Sequence, residues 1–408
     1  MRFLNLVQRY HPAIGGSEKY IKWLSESLAN EGHKVTVLTT SAYDVDALWS
    51  KEFRHIEKGN EIINSVQVRR IKLRYLPFHG KSMALLSLVP IFNLKCRFSM
   101  PGPLMPSLSE VAKLAGDYDI VHATALPFTS ILWSAWNLAK SGKKPLVVTP
   151  FMHIAMPDRF GYGYQKEYQI ELLRRADAVI VQTTLEKNIL QKLGVPSEKL
   201  HLVGIGVKSE GYKGDAERFR KKHKLPEPIV FNVSARTYDK GAVHLLEAMK
   251  ILWSKGIKAH LVMAGPARPD FIEYMRKQSA DVKKYIIDLG IIEEQEKADL
   301  FSAGDVFCMP SRSESFGIVY IESWLSGSAV VGADAGAVSE IIQHEVDGLL
   351  VKFGDVKAIA QALEKLITDK SFRDKLAEAG KSKALLNYQW EDKFARLKEI
   401  FYALAKTL

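Results

Sequence analysis

The 408-residue chain has only two cysteines, Cys96 and Cys308. Two are too few for a disulfide framework. Cys308 lies in the apolar run DVFCMP, where a free thiol behaves as a small hydrophobe. A reducing compartment is expected, and with it a cytoplasmic location. No apolar run reaches the ~18 residues that a membrane span needs. Low-complexity segments and short repeats are absent. The opening MRFLNLVQRY reads as a strand entering a loop, so no signal peptide is expected. An excess of acid is also missing. The chain carries 57 Lys and Arg against 46 Asp and Glu, a net charge of +11. A basic surface suits nucleic acid, anionic membrane or phosphorylated substrates. The lysines are scattered rather than clustered with aromatics, and no nucleic-acid motif accompanies them, so no nucleic-acid partner is expected.

What is present is an ordinary globular composition, 47% hydrophobic and 25% charged, with room for two domains. Short apolar runs alternate with amphipathic segments. FLNLV, KVTVLTT, DIVHAT, PLVVTP and DAVIVQT read as strands with helices between them. The polar, strongly charged stretch Val207–Pro228 breaks the pattern and reads as an interdomain segment. The alternation then restarts with IVFNVSA, AHLVMAG, YIIDLG, DVFCMP, SAVVGA and GLLV. This is the βα order of parallel sheets with helices on both faces. Two such domains are expected to face a central cleft at the carboxyl ends of their strands.

The stretch ESFGIVYIE places two glutamates around an apolar segment. A helix starting near Gly317 puts Ile318, Ile321 and Leu325 on one face, and Glu322 on that same face. A carboxylate there is costly unless paired or hydrogen-bonded. Glu314 lies just before the helix, near its positive end. Two readings stand side by side. One is an anion site at the helix start, flanked by two acceptors. The other is a capping acid plus a glutamate salt-bridged to a neighbouring helix.

The pieces SARTYDKG, LVMAGPA, DLGIIEEQEKADLFSAGDVFCMPSRSESFGIVYIESWLSGSAVVGADAGAVSEII and DGLLV, in that order, resemble the retaining GT-B glycosyltransferases of family 4. HPAIGGSEKYIKWLSESLANEGHKVTVLT and VVTPFMHIA extend the resemblance into the first half. It implies an α/β GT-B fold of two doubly wound, Rossmann-like domains. Residues 1–206 would bind the acceptor, 207–385 the nucleotide-sugar donor, and 386–408 would form a helix crossing back. It implies transfer of a sugar from a UDP- or GDP-sugar to an acceptor hydroxyl, with retention and with no cofactor or metal. The rival readings are a GT-B epimerase and a non-catalytic nucleotide-sugar-binding protein.

Residue by residue, Arg236 and Lys240 follow a strand, where two cations can neutralise a departing diphosphate. Glu314 matches the glutamate that contacts the donor sugar. The backbone of Ser315, Phe316, Gly317, Ile318 and Val319 would receive the diphosphate. Glu322 matches the glutamate that accepts from the ribose hydroxyls, so a ligand rather than protein would satisfy it. The base is expected near Ile291 and Ile292. Gly15 and Gly16 would let backbone approach a bound group. His153 is expected by the anomeric centre, and Asp158 beside the acceptor. The DVD at Asp44–Asp46 and DYD at Asp117–Asp119 have metal-motif spacing, but neither lies with Arg236 and Lys240. Residues 69–106 mix cations with apolar side chains and prolines. One reading is a surface on anionic lipid, with a peripheral membrane contact and a lipid-linked or glycan acceptor; the other is a buried excursion covering the first sheet.

Overall fold

The structure is a computed structural model, and it describes residues 1–78, 82, 107–154, 165–209, 213–225 and 228–406. Most of the 69–106 segment, including Leu85, Leu86, Phe92 and Cys96, lies outside the described residues, as does Asp158. The described residues form two compact units. The first comprises the N-terminal part through Met152, the described residues from 165 to Gly204, and those from Phe394 onward. The second comprises Ile205–Lys393 together with His153 and Ile154.

In the first unit, eight strands form one sheet: β1 (Arg2–Leu6), β2 (Lys34–Thr40), β3 (Asn60–Ile63), β4 (Val66–Ile71), β5 (Ile120–Thr124), β6 (Leu146–Thr149), β7 (Ala178–Val181) and β8 (Leu200–Leu202). Their order is β3-β4-β2-β1-β5-β6-β7-β8, parallel apart from the β3–β4 hairpin. The hairpin was not anticipated from the apolar runs. Its turn, Asn64-Ser65, has both residues at positive φ, 47° and 66°. That is the type I′ geometry matching the twist of paired strands.

The inner strands are buried along their whole length, as strands covered on both faces must be. His122 on β5 is fully buried, and one ring nitrogen meets the Thr149 hydroxyl at 2.8 Å. Burial pushes its pKa down to about 3. The unfolded chain therefore binds a proton between pH 6.5 and 3 that the folded chain refuses. The stability contribution is complete above pH 6.5 and is lost on acidification, at up to about 1.4 kcal/mol per pH unit. The thermal midpoint should fall from pH 7 to pH 4.5, and His122→Gln should make that fall shallower. An unchanged slope in a melting series would remove His122 from the account.

The second unit holds a six-stranded parallel sheet of β9 (Ile229–Val233), β10 (His260–Ala264), β11 (Ile286–Gly290), β12 (Val306–Met309), β13 (Ala329–Ala333) and β14 (Leu349–Val351). The order is β11-β10-β9-β12-β13-β14. The chain builds outward from β9 to β11, then returns to the other side of β9 with β12. The order thus reverses between β9 and β12, where open α/β sheets leave a crevice at the strand carboxyl ends. The core under this sheet joins Leu245, Met249, Leu261, Val331, Leu363 and Leu376 from strands and flanking helices.

One expectation is corrected here. Val207–Pro228 is not a plain interdomain segment. It carries the helix Ala216–His223, which lies in the second unit and packs on the helix Glu294–Ala303. Arg218 reaches Asp299 at 2.6 Å and holds that carboxyl down at about 2. Phe219 alone is buried from this helix, so the sequence offers no apolar stripe to read.

The C-terminal helix, Trp390–Lys406, starts in the second unit, and its residues from Phe394 belong to the first. Within the first unit, Phe401 packs edge-on against Phe3 with centroids 5.5 Å apart, and Lys398 pairs with Glu31.

Candidate functional site

Two loops leave the carboxyl ends of β9 and β12, at the point where the strand order reverses. The first runs from Ser234 to Gly241 and ends at the helix Ala242–Ser254. The second runs from Pro310 to Gly317 and ends at the helix Ile318–Leu325. They touch directly. A Cβ on Gly241 would stand 2.4 Å from the Pro310 carbonyl oxygen, and Gly241 has φ +75°. Only glycine meets both conditions at low cost.

Across this contact, Lys240 Nζ lies 2.6 Å from Glu314 Oε1. Two residues 74 apart in sequence thus form one charge pair. The Glu314 side chain is 9% exposed and that of Lys240 26%. Burial opposes ionisation of Glu314, but the Lys240 ammonium and His153 outweigh it, and the carboxyl titrates below its usual range. His153 moves the other way. Burial first, and the Lys240 charge second, lower its pKa to about 4, against a smaller pull from Glu314. At neutral pH the group is an uncharged imidazole, and part of its surface is exposed. His153, Lys240 and Glu314 therefore interact electrostatically.

Arg236 is placed differently. Its guanidinium is 3% exposed, bonded to Asp288 in the middle of β11 and to the Gly265 carbonyl. Among the described residues its Nε finds no hydrogen-bond partner. Lys240 and Arg236 thus face different protein acids, rather than standing as a bare pair of cations.

Glu322 also departs from expectation. The helix Ile318–Leu325 is buried nearly all round, with Tyr320, Ile321, Glu322, Ser323 and Trp324 inside and Ile318 and Leu325 part-exposed. Glu322 is 1% exposed, and both its oxygens accept from Lys297 Nζ, at 3.1 and 3.0 Å. The protein itself satisfies this buried acid. The helix–helix salt bridge, one of the two readings left open in the sequence, is therefore present.

The helix opens on Gly317 at φ +99°, with no side chain capping its first turn. Such a start presents backbone N–H groups suited to an anion. Ser315, Ile318 and Val319 are partly exposed there, while Phe316 is buried with its ring edge toward Tyr388. Ile291 is 45% exposed and Ile292 partly so, just beyond β11.

In the first unit, Gly15 caps the helix Gly16–Asn30. A Cβ there would fall 2.0 Å from Glu18 Oε2. Glu18 is buried and pairs with Arg9 at 2.7 Å, and Gln8 donates to it at 3.2 Å. The glycine is thus already required by a folded-over acid in its own helix. Three of the four acids in the two metal-motif triplets meet arginines: Asp44 with Arg54, and Asp117 and Asp119 with Arg2. Among the described residues, no group of three His, Cys, Asp or Glu side chains is placed to hold a metal. The sequence reading missed Asp288, Lys297 and Arg312. Lys297 sits in KADLF as an ordinary helical lysine, and nothing local marks its partner.

A model of glycosyl transferases group 1 matches residues 214–383, and a glycosyl transferase 4-like domain matches residues 15–206. The chain belongs to the group 1 glycosyltransferases. Its sequence is 23% identical to the MMP alpha-(1->4)-mannosyltransferase of Mycolicibacterium hassiacum, with 98% of each chain covered. Among solved structures, a sucrose-phosphate synthase from Thermosynechococcus elongatus superposes with a TM-score of 0.76 at 20% identity, over 100% of both chains. Anabaena HepE in complex with UDP and glucose gives 0.76 at 18% identity, over 99% of this chain and 100% of that one. The glycosyltransferase thus has the GT-B fold with two Rossmann-like domains. Among its described residues, no helix is long and apolar enough to cross a membrane.

Proposed function

We propose that this glycosyltransferase takes a nucleoside-diphosphate sugar, a UDP- or GDP-sugar, and passes the sugar to an acceptor hydroxyl with retention of configuration. The observation that carries the reading is the Lys240–Glu314 pair at the switch point of the second sheet, beside an uncapped helix start. Lys240 and the amides after Glu314 receive the diphosphate. Arg236 exchanges its bond to Asp288 for a phosphate oxygen. Glu314 and the neutral His153 contact the sugar. Glu322, braced by Lys297, accepts from the ribose hydroxyls with its remaining lone pairs. Charge grows on the diphosphate as the glycosidic bond breaks, and fixed cations there stabilise the transition state most. The departing diphosphate oxygen takes the acceptor proton on the same face. No cofactor or metal enters this scheme. The acceptor is a glycan or a lipid-linked hydroxyl compound, a choice resting on the basic and apolar sequence of residues 72–106, since Arg69–Ile71 belong to β4 and Arg70 is buried against Glu61.

The direct test is a thermal-shift panel of UDP-, GDP- and ADP-sugars. A ligand that binds only the folded state stabilises it by about 2.7 kcal/mol at a hundred times its Kd. One base should stand out from the rest. A flat response across the panel at millimolar donor would reject the donor class.

A further inference from the structure

Lys240 and Glu314 stand on separate loops, so something must hold those loops in register. The contacts converge on Arg312, two residues before Glu314. Its backbone N–H donates to the Asp239 carbonyl at 2.7 Å. Its guanidinium forms an ion pair with the Asp239 carboxylate at 3.0 Å. The same group lies over the rings of Tyr238, at 5.4 Å, and Phe353, at 4.8 Å. Those two rings meet His244 edge-on, at 4.8 and 4.9 Å. Tyr238 and Asp239 immediately precede Lys240. One side chain thus grips the loop after β9, the helix behind it through His244, and Phe353 beyond β14. Among the described residues it makes no hydrogen bond to Lys240 or Glu314 themselves.

We propose that Arg312 is a positioning residue for the transfer reaction, tying the two loops so that Lys240 and Glu314 meet the donor in one fixed geometry. This rests on the reading of those two residues as donor-facing groups. A planar guanidinium can bond a carboxylate at its edge while its faces lie on rings, which an ammonium does less well. A cation set loosely over the diphosphate loses effect steeply, because misplacement by about 1 Å can cost around a hundredfold in rate.

The experiment compares kcat, KM and melting temperature for the wild-type enzyme, Lys240→Ala, Arg312→Ala, Arg312→Lys, Asp239→Asn and the double variant Lys240→Ala/Arg312→Ala. The donor is the nucleotide sugar that the panel selects. Arg312→Ala should lower kcat by roughly tenfold to a hundredfold with a much smaller change in KM. Arg312→Lys should recover part of the loss. Asp239→Asn, which leaves the backbone bond in place, should shift kcat the same way by less. In the double variant, losing Arg312 should cost little more than losing Lys240 alone, because both act at one point. A purely structural role would instead give multiplying losses. Wild-type kcat in Arg312→Ala, or fully multiplying losses, would overturn the proposal. If Arg312→Ala does not fold, Arg312→Lys and Asp239→Asn decide, and wild-type kcat in both overturns it. A wild-type protein that turns over no nucleotide sugar removes the functional reading itself and this proposal with it.

Discussion

Lys240→Ala should lower turnover of the nucleotide sugar by roughly tenfold to a thousandfold, the range seen when a preorganised donor to a developing anion is removed. Donor affinity should change much less. The ammonium meets charge that is modest in the bound donor and larger as the diphosphate departs, so its effect falls on kcat. Without ligand, Lys240 is held by Glu314 at 2.6 Å, which keeps both side chains in place before the donor arrives. Arg236→Ala should show a similar but smaller loss, since Arg236 must first leave Asp288 and the Gly265 carbonyl. Steady-state kinetics alongside calorimetric donor titrations separate the two quantities. Wild-type turnover in both variants would mean that the diphosphate departs elsewhere.

Glu322→Gln should have the second large effect, and it should be twofold. Nucleotide affinity falls, because ribose contacts are alike in ground and transition states. Stability falls too, because Lys297, only 16% exposed, loses the charge it faces. Removing one partner of a buried pair costs about 3–5 kcal/mol, and the lower end applies where one partner still touches water. Adding Lys297→Met to Glu322→Gln should restore most of the stability, since both charges are then gone, while affinity stays low. Chemical denaturation and nucleotide titration of the single and double variants read the two effects apart. Recovery of affinity in the double variant would assign Glu322 a structural role alone.

The strands were legible because a parallel sheet covered on both faces demands continuous apolar runs, and IVF, LVMA and VFCM are such runs. Helix ends were less legible than strands; the helix Pro269–Arg276 opens on Pro269, where a missing N–H costs nothing. The hairpin β3–β4 was written in Asn64-Ser65 but hidden among polar neighbours. Lys240 and Glu314 were singled out through the order of their motifs, and the structure brings them together. The partners of other charged residues were not legible. Lys297 on Glu322, Asp288 on Arg236 and Arg312 on Asp239 are contacts across 25, 52 and 73 residues, the last being 312 − 239. Such pairings follow from sheet order, which no local pattern states.

The central claim, that Lys240 meets the diphosphate, is tested most directly by calorimetric titration of the nucleoside diphosphate and the corresponding nucleoside into the wild-type enzyme and Lys240→Met. The account predicts a large loss of nucleoside-diphosphate affinity, exceeding the loss for the intact donor, with nucleoside affinity unchanged. Equal nucleoside-diphosphate affinity in the two proteins would contradict it.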